Sequence, residues 1–237
     1  MLPLFIVDSI PESSFVSLPD EEARHAITAL RIKVGEHISI TDGAGSRAEV
    51  EVKEITKREV HCEILHRTFE AKSTVDLIVV QALTKGDRAR ETIELLCEGG
   101  ATSIVPWSAS RSIGKWNEDS LSRWRNWAYE ATKQSRRNWI PDISPRLSTE
   151  EIVELFTKVD CVLLFHESGG KRIAEVLPKN SKRIAIIIGP EGGIDEDEAQ
   201  LFLSAGAKQV KMGTPILRSA HAGLAALSAI QTFLGLW

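Results

Sequence analysis

Two glycine-bearing loops in the C-terminal third of the chain are the residues best suited to binding a small ligand. The first, Gly189–Gly193, follows the apolar run Ile184–Ile188 and precedes an acidic segment that begins a helix at Glu196. The second, Gly213–Ser219, follows a short predicted strand at Lys208–Met212 and precedes an apolar helix. Backbone groups at two neighbouring strand ends can close around one ligand, which is where open α/β sheets usually bind theirs. The loops therefore predict a cofactor site.

The first loop favours a cationic ligand, or one that carries hydroxyl and amine donors. Neither the dinucleotide fingerprint G-x-G-x-x-G nor the phosphate loop G-x-x-x-x-G-K-[ST] occurs in the chain. The carboxylate of Glu191 stands in the middle of the loop and would repel a pyrophosphate. A second interpretation stays open for this loop alone, because Gly-Pro and Gly-Gly are also common in turns that bind nothing.

The elements that must position these loops change in character near residue 72. Before it, Ala48–Ile55 and Glu59–Leu65 alternate apolar and polar residues, which is typical of half-exposed antiparallel strands. After it, apolar runs such as Leu77–Val80 and Cys161–Phe165 are typical of parallel strands that are buried on both faces. Helices are predicted at Glu21–Leu30, Asp87–Cys97, Ser120–Lys133, Glu150–Phe156, Glu196–Ser204 and Ser219–Leu234. A small β domain followed by an α/β domain is therefore expected.

Composition narrows the class of protein. The chain has 237 residues, of which 43% are hydrophobic and 26% charged, as in ordinary globular proteins. No apolar run is long enough to span a membrane, and the N-terminus lacks the features of a signal peptide, so we expect a cytoplasmic protein. Cys62, Cys97 and Cys161 are predicted to be buried free thiols. No residues have metal-ligand spacing, so no metal is expected.

The charge distribution leaves two interpretations of one helix open. A net charge of −4 argues against a general nucleic-acid-binding protein. Residues 111–137, however, contain seven Lys and Arg against three Asp and Glu, with Trp116, Trp124, Trp127 and Tyr129 among them. The segment is either an amphipathic helix whose arginines are merely solvated, or a helix whose outer face contacts phosphates.

Motifs along nearly the whole chain have the spacing of a known family. They are His25-x4-Leu30-Arg31 with Gly35 and Asp42-Gly43, then Lys85-Gly-Asp-Arg88, Glu98-Gly99 and Pro106, then Gln134-Ser-x-Arg137 with Pro141, and finally Gly189-Pro-Glu-Gly-Gly193 with Met212-Gly213 and Ile216-Leu217-Arg218. Together they resemble the RsmE family, SPOUT-class enzymes that methylate N3 of a uridine in 16S ribosomal RNA. Two segments depart from the family pattern. Ser219-Ala220-His221 stands where the family commonly has Thr-Glu-Thr or Thr-Glu-Ala, and Glu98-Gly99-Gly100 is expected to loosen the end of its helix.

The resemblance implies a fold and an assembly that periodicity cannot reveal. It implies a PUA-like β-barrel RNA-binding domain over residues 1–72 and a SPOUT α/β methyltransferase domain over residues 73–237. A trefoil knot would occupy about residues 184–235. It also implies a homodimer through the last helix, and residues 222–237 are apolar nearly all round, as a helix with a partner on more than one side would be.

The resemblance further implies S-adenosylmethionine as the cofactor and assigns residues to it. The expected cofactor-binding residues are Leu164, His166, Gly189, Pro190, Glu191, Gly192, Met212, Gly213, Leu217 and Ser219. A branched side chain at Gly192 is expected to enter the site and abolish binding. Arg218 is the expected catalytic residue, because its guanidinium can stabilise charge that develops on the uracil. His221 is a weaker candidate for a general base, since a histidine inside an Ala-rich helix is more often a packing contact.

The expected partner is 16S ribosomal RNA or the assembled small subunit. The residues expected to contact it are Arg24, Arg31, Lys85, Arg88, Arg125, Arg136 and Arg137. Two other functions remain possible at this point: an RNA-binding module with inactive cofactor loops, and a SPOUT enzyme with another target such as a tRNA ribose 2′-hydroxyl. Binding of S-adenosylmethionine distinguishes the first alternative, and identification of the methylated nucleotide distinguishes the second.

Overall fold

The computed structural model describes residues 2–237, and for Asp87 the backbone alone. The chain divides into two compact units. The first contains the chain up to Lys72 together with Thr132–Ile140, and the second contains Ser73–Ala131 and Pro141–Trp237. The segment Thr132–Ile140 was expected in the second domain but groups with the first unit. The domain boundary at residues 72 and 73 remains a proposal.

The first unit is a five-stranded sheet with the order β1-β3-β4-β5-β2. Its strands are β1 (Leu4–Ile6), β2 (Phe15–Ser17), β3 (His37–Thr41), β4 (Ser46–Ile55) and β5 (Val60–Phe69). β1 runs parallel to β3, and the other neighbours are antiparallel. The helix predicted at Glu21–Leu30 begins as α1 (Asp20–His25) and ends as a π-helical turn (Ala26–Leu30). Alternate residues of β3, β4 and β5 form the core, as their period of two predicts.

The second unit is a six-stranded sheet with the order β11-β9-β10-β6-β7-β8, and every pair is parallel. Its strands are β6 (Asp76–Ala82), β7 (Ser103–Trp107), β8 (Asp142–Ile143), β9 (Cys161–Phe165), β10 (Arg183–Ile188) and β11 (Lys208–Val210). Its helices are α2 (Asp87–Glu98), α3 (Ser120–Ser135, whose last turn lies in the first unit), α4 (Thr149–Leu155), α5 (Ile173–Val176), α6 (Glu196–Ser204) and α7 (Ser219–Leu234). A 3-10 turn (Phe156–Lys158) follows α4. This alternation of strands and helices confirms the predicted α/β class.

The sheet of the second unit is covered on both faces. Residues from α2, α3 and α7 form one core with one face of the central strands, and residues from α4 and α6 form another with the opposite face. Successive residues of β10, from Ile184 to Ile188, belong to the two cores alternately. Burial on both faces explains why these strands read as unbroken apolar runs.

The last helix returns to the middle of the unit after the chain has reached the sheet edge. β11 pairs with β9, beyond β10, and α7 then packs against α2, α5, β6 and β10. A Cβ on Gly99 would lie 2.8 Å from Leu224 Cδ1, so this glycine allows α7 to lie close to the end of α2. The end of α2 was expected to be loosened by its glycines. Gly99 instead allows α7 to pack closely against it. The knot over about residues 184–235 stays a prediction.

The aromatic residues of the basic segment are packed, which confirms one part of the expectation for it. Trp124 on α3 is buried, and Trp116 and Trp127 pack against the same core. The rings of Trp116 and Trp124 meet edge to face, with centroids 5.4 Å apart. Arg125 is exposed, and its Nη2 lies 3.4 Å from the Ile143 carbonyl oxygen. The other part of the expectation, that the outer face contacts RNA, stays a prediction.

The three cysteines are buried free thiols, as predicted. Burial raises the pKa of Cys62 to about 11 and raises the pKa of Cys161 above its ordinary value, so neither is a reactive thiolate near neutral pH. Throughout the described residues, His, Cys, Asp and Glu form no group of three or more that could bind a metal ion. None of the described helices has the length and apolar character needed to cross a bilayer.

Candidate cofactor site

A cavity of about 390 Å³ lies at the carboxyl ends of β9, β10 and β11 in the second unit. Its walls come from the ends of those strands and from the two glycine-bearing loops, the first loop (Gly189–Gly193) and the second loop (Gly213–Ser219). The lining residues are Phe165, His166, Glu167, Ile188, Gly189, Pro190, Glu191, Gly193, Ile194, all of Val210–Ser219, Ala222 and Arg88. A cavity of this size falls within the range of small-molecule sites.

The first loop is a tight turn that ends at a helix cap. The backbone N–H of Gly193 donates to the Pro190 carbonyl oxygen at 3.0 Å, which closes the turn. The Asp195 carboxylate then accepts from the backbone N–H of Asp197 and caps the start of α6. The other Asp195 oxygen receives Arg111 Nη2 at 2.9 Å. Asp195 therefore serves the helix start, and this leaves Glu191 to line the cavity.

The second loop is fixed at both of its ends. On the strand side, the His166 backbone N–H donates to the Val210 carbonyl oxygen, which continues the pairing of β9 with β11. On the helix side, the backbone N–H groups of His221 and Ala222 donate to the Arg218 carbonyl oxygen, each at 2.9 Å. Arg218 is thus the N-cap residue of α7, and its side chain is exposed on the cavity wall.

A buried polar contact joins the two loops. The Ser219 hydroxyl donates to the Gly189 carbonyl oxygen at 2.6 Å, and both residues line the cavity. The same hydroxyl accepts from Gln81 Nε2 at 3.0 Å, and Gln81 is completely buried at the carboxyl end of β6. The positions of the two loops are therefore linked to each other and to the central sheet.

Charges of both signs line the cavity. Glu167 and Glu191 bring carboxylates, and Arg88, Lys211 and Arg218 bring cations. Arg88 Nη1 lies 3.7 Å from Glu191 Oε1, and the arginine side chain is half exposed. An ion pair this long and this exposed is weak, so Glu191 can exchange it for a bound cation at little cost.

The whole chain matches a family of RNA-modifying enzymes. Residues 71–231 match the RNA methyltransferase domain, and residues 18–65 match the RNA methyltransferase PUA domain. Ribosomal RNA small subunit methyltransferase E of Mycobacterium bovis is 33% identical over 99% of this chain and 93% of its own length. The chain belongs to the ribosomal RNA small subunit methyltransferase E family. The enzyme of the same name from Bacillus subtilis is 30% identical over 94% of this chain and 91% of its own.

A solved structure of this family has the same fold. Ribosomal RNA small subunit methyltransferase E from Neisseria gonorrhoeae, bound to S-adenosyl methionine, superposes with a TM-score of 0.90 and 30% identity. The match covers 100% of this chain and 98% of the other. The expected fold class, a PUA-like domain followed by a SPOUT methyltransferase domain, is confirmed.

Most residues expected to bind the cofactor meet at the cavity. They are His166, Gly189, Pro190, Glu191, Met212, Gly213, Leu217 and Ser219, with Arg218 beside them. His166 Nδ1 accepts a hydrogen bond from the Ser168 backbone N–H at 3.1 Å, and this bond orients the imidazole at the rim of the cavity. Residues from three strand ends therefore converge as the two sequence loops predicted.

Two of the expected cofactor residues lie elsewhere. Leu164 is completely buried in the core on the α4 and α6 face of the sheet, because alternate residues of β9 point to opposite faces. Gly192 is not among the residues that line the cavity, and a Cβ on it would lie 3.4 Å from Arg111 Cβ, an ordinary contact. These contacts give no support to the expectation that a side chain at Gly192 enters the cofactor site, which stays a prediction. Gly189 is the glycine of this loop that a side chain would disturb, because its added Cβ would lie 2.5 Å from Ile194 Cγ1.

The residues expected to bind RNA are divided between the two units. Arg88 lines the cofactor cavity, and Lys85 is exposed just before α2. Arg24 and Arg31 are exposed in the first unit. Arg136 and Arg137 are partly buried at the end of α3, where Arg136 has a φ of 58°. His221, the weaker candidate for a base, has Nε2 3.5 Å from Glu91 Oε1 on α2 and is not among the cavity-lining residues.

Sequence reasoning missed several residues that line the cavity, and it missed Gln81. Phe165, Glu167, Ile194 and Lys211 each stand next to a motif residue, so the continuity of the loops could have indicated them. Nothing in the sequence near Gln81 connects it with Ser219, which is 138 residues further along the chain.

Proposed function

We propose that this protein transfers a methyl group from S-adenosylmethionine to N3 of a specific uridine in the 16S ribosomal RNA of the small ribosomal subunit. The observation that carries the proposal is the cavity at the ends of β9, β10 and β11, whose walls are the two loops that carry the family motifs. Membership of the ribosomal RNA small subunit methyltransferase E family supports the substrate class.

The residues of the cavity suit S-adenosylmethionine. When bound, this cofactor supplies a methyl group on a positively charged sulfur that an in-line nucleophile can attack. The carboxylates of Glu167 and Glu191 favour a cationic ligand, and Ile188, Ile194 and Met212 offer apolar surface for a nucleoside. The lack of a side chain at Gly189 lets the first loop lie against Ile194 and leaves its backbone at the cavity wall.

Arg218 is the residue we propose for the acceptor. The backbone of Arg218 is held at the start of α7, whereas its guanidinium is exposed at the cavity wall. A guanidinium is charged at every relevant pH and offers several fixed donors to O2 and O4 of a uracil. Donors of this kind stabilise the negative charge that develops as N3 loses its proton. Holding the acceptor in line with the methyl group contributes further acceleration.

Two measurements test the proposal. Isothermal titration calorimetry should detect S-adenosylmethionine binding at one site per chain, whereas an RNA-binding module with inactive loops would give no heat. Mass spectrometry of ribosomal RNA from cells with and without the gene should then show one 3-methyluridine that is lost with the gene. Loss of a methylated ribose, or of a methylated tRNA nucleotide, would overturn the proposed target.

The proposed RNA contacts are the exposed basic residues of both units. Arg24, Arg31, Lys85 and Arg125 are exposed, and Arg136 and Arg137 are partly so. Positive charge on α3 supports contact with phosphates although the net charge of the chain is −4. We place Arg88 with the cofactor cavity as well as with RNA, since it lies beside Glu191.

We also propose a homodimer through the C-terminal helix. Within the chain α7 packs against α2, α5, β6 and β10, and the partner would cover the surface of α7 that these elements leave. Ile216, Leu217, Leu236 and Trp237 are apolar residues that remain exposed before and after this helix. Exposed apolar residues at both ends of α7 support an interface that runs along this helix.

Light scattering on the full chain tests the dimer. The wild type should have the mass of two chains, and the double variant Ile216→Ser and Trp237→Ser should dissociate at low concentration. Phe15→Ser, which removes an equally exposed apolar residue from the first unit, is the matched control and should stay dimeric. A monomeric wild type would overturn the proposal.

A further inference from the structure

Gln81 is a buried polar residue that the proposed mechanism does not use. Its side chain has no exposed surface, and it is not among the residues that line the cavity. Its Nε2 donates to Ser219 Oγ at 3.0 Å and to the Ala82 carbonyl oxygen at 3.2 Å. Burying an amide in a sheet of Ile, Val and Leu costs free energy unless the amide is hydrogen-bonded, so the partners of Gln81 are informative.

The direction of each hydrogen bond in this group can be assigned. Ser219 Oγ has one hydrogen, and the short contact of 2.6 Å to the Gly189 carbonyl oxygen requires it, because a carbonyl oxygen only accepts. Ser219 Oγ must therefore accept from Gln81, so the amide nitrogen of Gln81 faces the serine. The Gln81 amide thus donates to the Ser219 hydroxyl, and the Ser219 hydroxyl donates to the Gly189 carbonyl oxygen.

The remaining atom of the amide shows that this orientation is imposed. Gln81 Oε1 is buried and has no hydrogen-bond partner within the described part of the chain. An unsatisfied buried acceptor costs free energy, and turning the amide would bring this oxygen towards Ser219 Oγ. The amide keeps its orientation because the Ser219 hydroxyl is already committed to Gly189.

We infer that Gln81 is a positioning residue for the cofactor cavity, which sets the distance between the two loops through Ser219 without touching the ligand. Gly189 begins the first loop, and Ser219 ends the second, so one buried amide on the rigid sheet determines how both walls lie. The inference rests on the proposed function, in that the ligand used to measure it is S-adenosylmethionine. Wild-type binding tests the proposed function, whereas the variants below are judged only relative to the wild type.

The first test compares two Gln→Met variants by calorimetry with S-adenosylmethionine and by thermal unfolding. Gln81→Met keeps the volume of the side chain and removes the donor, and the Kd should rise about 10-fold, as loss of one buried donor implies. Gln231→Met is the matched control, because Gln231 is also buried and its Nε2 donates to the Gly99 carbonyl oxygen away from the cavity. The control should lower Tm and leave the Kd unchanged. An unchanged Kd in folded Gln81→Met overturns the inference.

The second test restores a hydrogen-bond donor at position 81 by lowering the pH and measures cofactor affinity. Ionised Glu at position 81 only accepts hydrogen bonds, but a protonated carboxyl donates one. Burial raises the pKa of such a carboxyl, so cofactor affinity of Gln81→Glu should rise towards the wild-type value as pH falls. A merely structural role would give the variant and the wild type parallel pH profiles, and that result would overturn the inference.

If the Gln81 variants do not fold, variants of Ser219 test whether its hydroxyl sets the position of the two loops. Ser219→Ala should weaken S-adenosylmethionine binding about 10-fold, and Ser219→Thr, which keeps the hydroxyl, should restore most of it. Equal affinity of the Ala and Thr variants overturns the inference. Where all variants fold, Gln81→Met combined with Ser219→Ala should be no weaker than the worse single variant, because both remove the same contact.

Discussion

Replacing Gly189 with Ala tests whether the cavity depends on the close approach of the first loop to Ile194. An added Cβ would lie 2.5 Å from Ile194 Cγ1 and 3.1 Å from Ile194 Cδ1. Carbon atoms at rest are about 3.5–4.0 Å apart, so roughly 1 Å of space must be found. Ile194 is only 6% exposed and packs in the core beside α6, so it cannot turn away into solvent. The loop that carries Gly189 must move instead.

The size of the effect follows from the cost of overpacking. Forcing a methyl group into a filled core costs about 1–3 kcal/mol. If the loop moves to relieve this strain, the cofactor must restore the loop position on binding, and the Kd rises about 5- to 150-fold. Movement of Gly189 also lengthens the 2.6 Å contact of its carbonyl oxygen with the Ser219 hydroxyl, which adds to the loss.

Gly192 in the same loop is the matched control. A Cβ there meets only Arg111 atoms, at 3.4 Å and 3.5 Å, so Gly192→Ala needs no movement of the loop. Its Kd for S-adenosylmethionine should stay within about twofold, and its Tm should be unchanged or slightly raised, because Ala restricts the unfolded chain. Calorimetry and thermal unfolding measure both quantities. The reasoning fails if Gly189→Ala folds with wild-type Kd and Tm, or if Gly192→Ala loses as much affinity.

Three further predictions follow from the charged groups. Arg218→Lys should lower the methylation rate at saturating cofactor by about 10²–10³, because Lys lacks the planar donors of the guanidinium. Its Kd for S-adenosylmethionine should stay near normal. Lost cofactor affinity with unchanged turnover would instead make Arg218 a residue of the methyl-donor site. Replacing Arg125, Arg136 and Arg137 with Gln should lower the slope of log Kd against log salt for RNA by about 2, and an unaltered slope would show that the three residues do not contact phosphates. Backbone N–H groups of Lys182 and Arg183 hold the pKa of Asp160 below its ordinary value. Asp160 therefore stabilises the fold at any pH above its ordinary pKa, and this stabilisation is lost as the pH falls through the lowered pKa. Urea unfolding of Asp160→Ala should therefore show a deficit at neutral pH that narrows in acid, and a constant deficit would contradict the assignment.

The local signals in the sequence predicted the elements beside the cavity well. The helices α6 and α7 have the predicted bounds. An acidic first turn marks the start of α6, and α7 starts at Ser219, directly after Arg218. The strand β7 was missed, because Pro106 interrupts its apolar run and proline is rare inside sheets. Pro106 has no backbone N–H to donate, but its carbonyl oxygen still accepts from the Leu147 backbone N–H.

The contacts that complete the site could not be predicted from sequence spacing. Glu191 and Arg88 are about a hundred residues apart in the chain, and only the return of both segments to the end of the sheet brings them within 3.7 Å. The same holds for Gln81 and Ser219. Gly192 and Gly189 were indistinguishable in the sequence, since which glycine faces a neighbour depends on how the turn is oriented.

The return of α7 to the centre of the second unit has a consequence for synthesis on the ribosome. Gln231 Nε2 on α7 donates to the Gly99 carbonyl oxygen at the end of α2, 132 residues earlier in the chain. A nascent chain that has emerged only as far as Val210 therefore lacks the helix that covers α2 and lacks most of one cavity wall. Contacts between such distant segments form slowly and leave apolar surface uncovered until α7 has been synthesised. We expect the emerging chain to be a chaperone client and to have no affinity for the cofactor until α7 has left the exit tunnel.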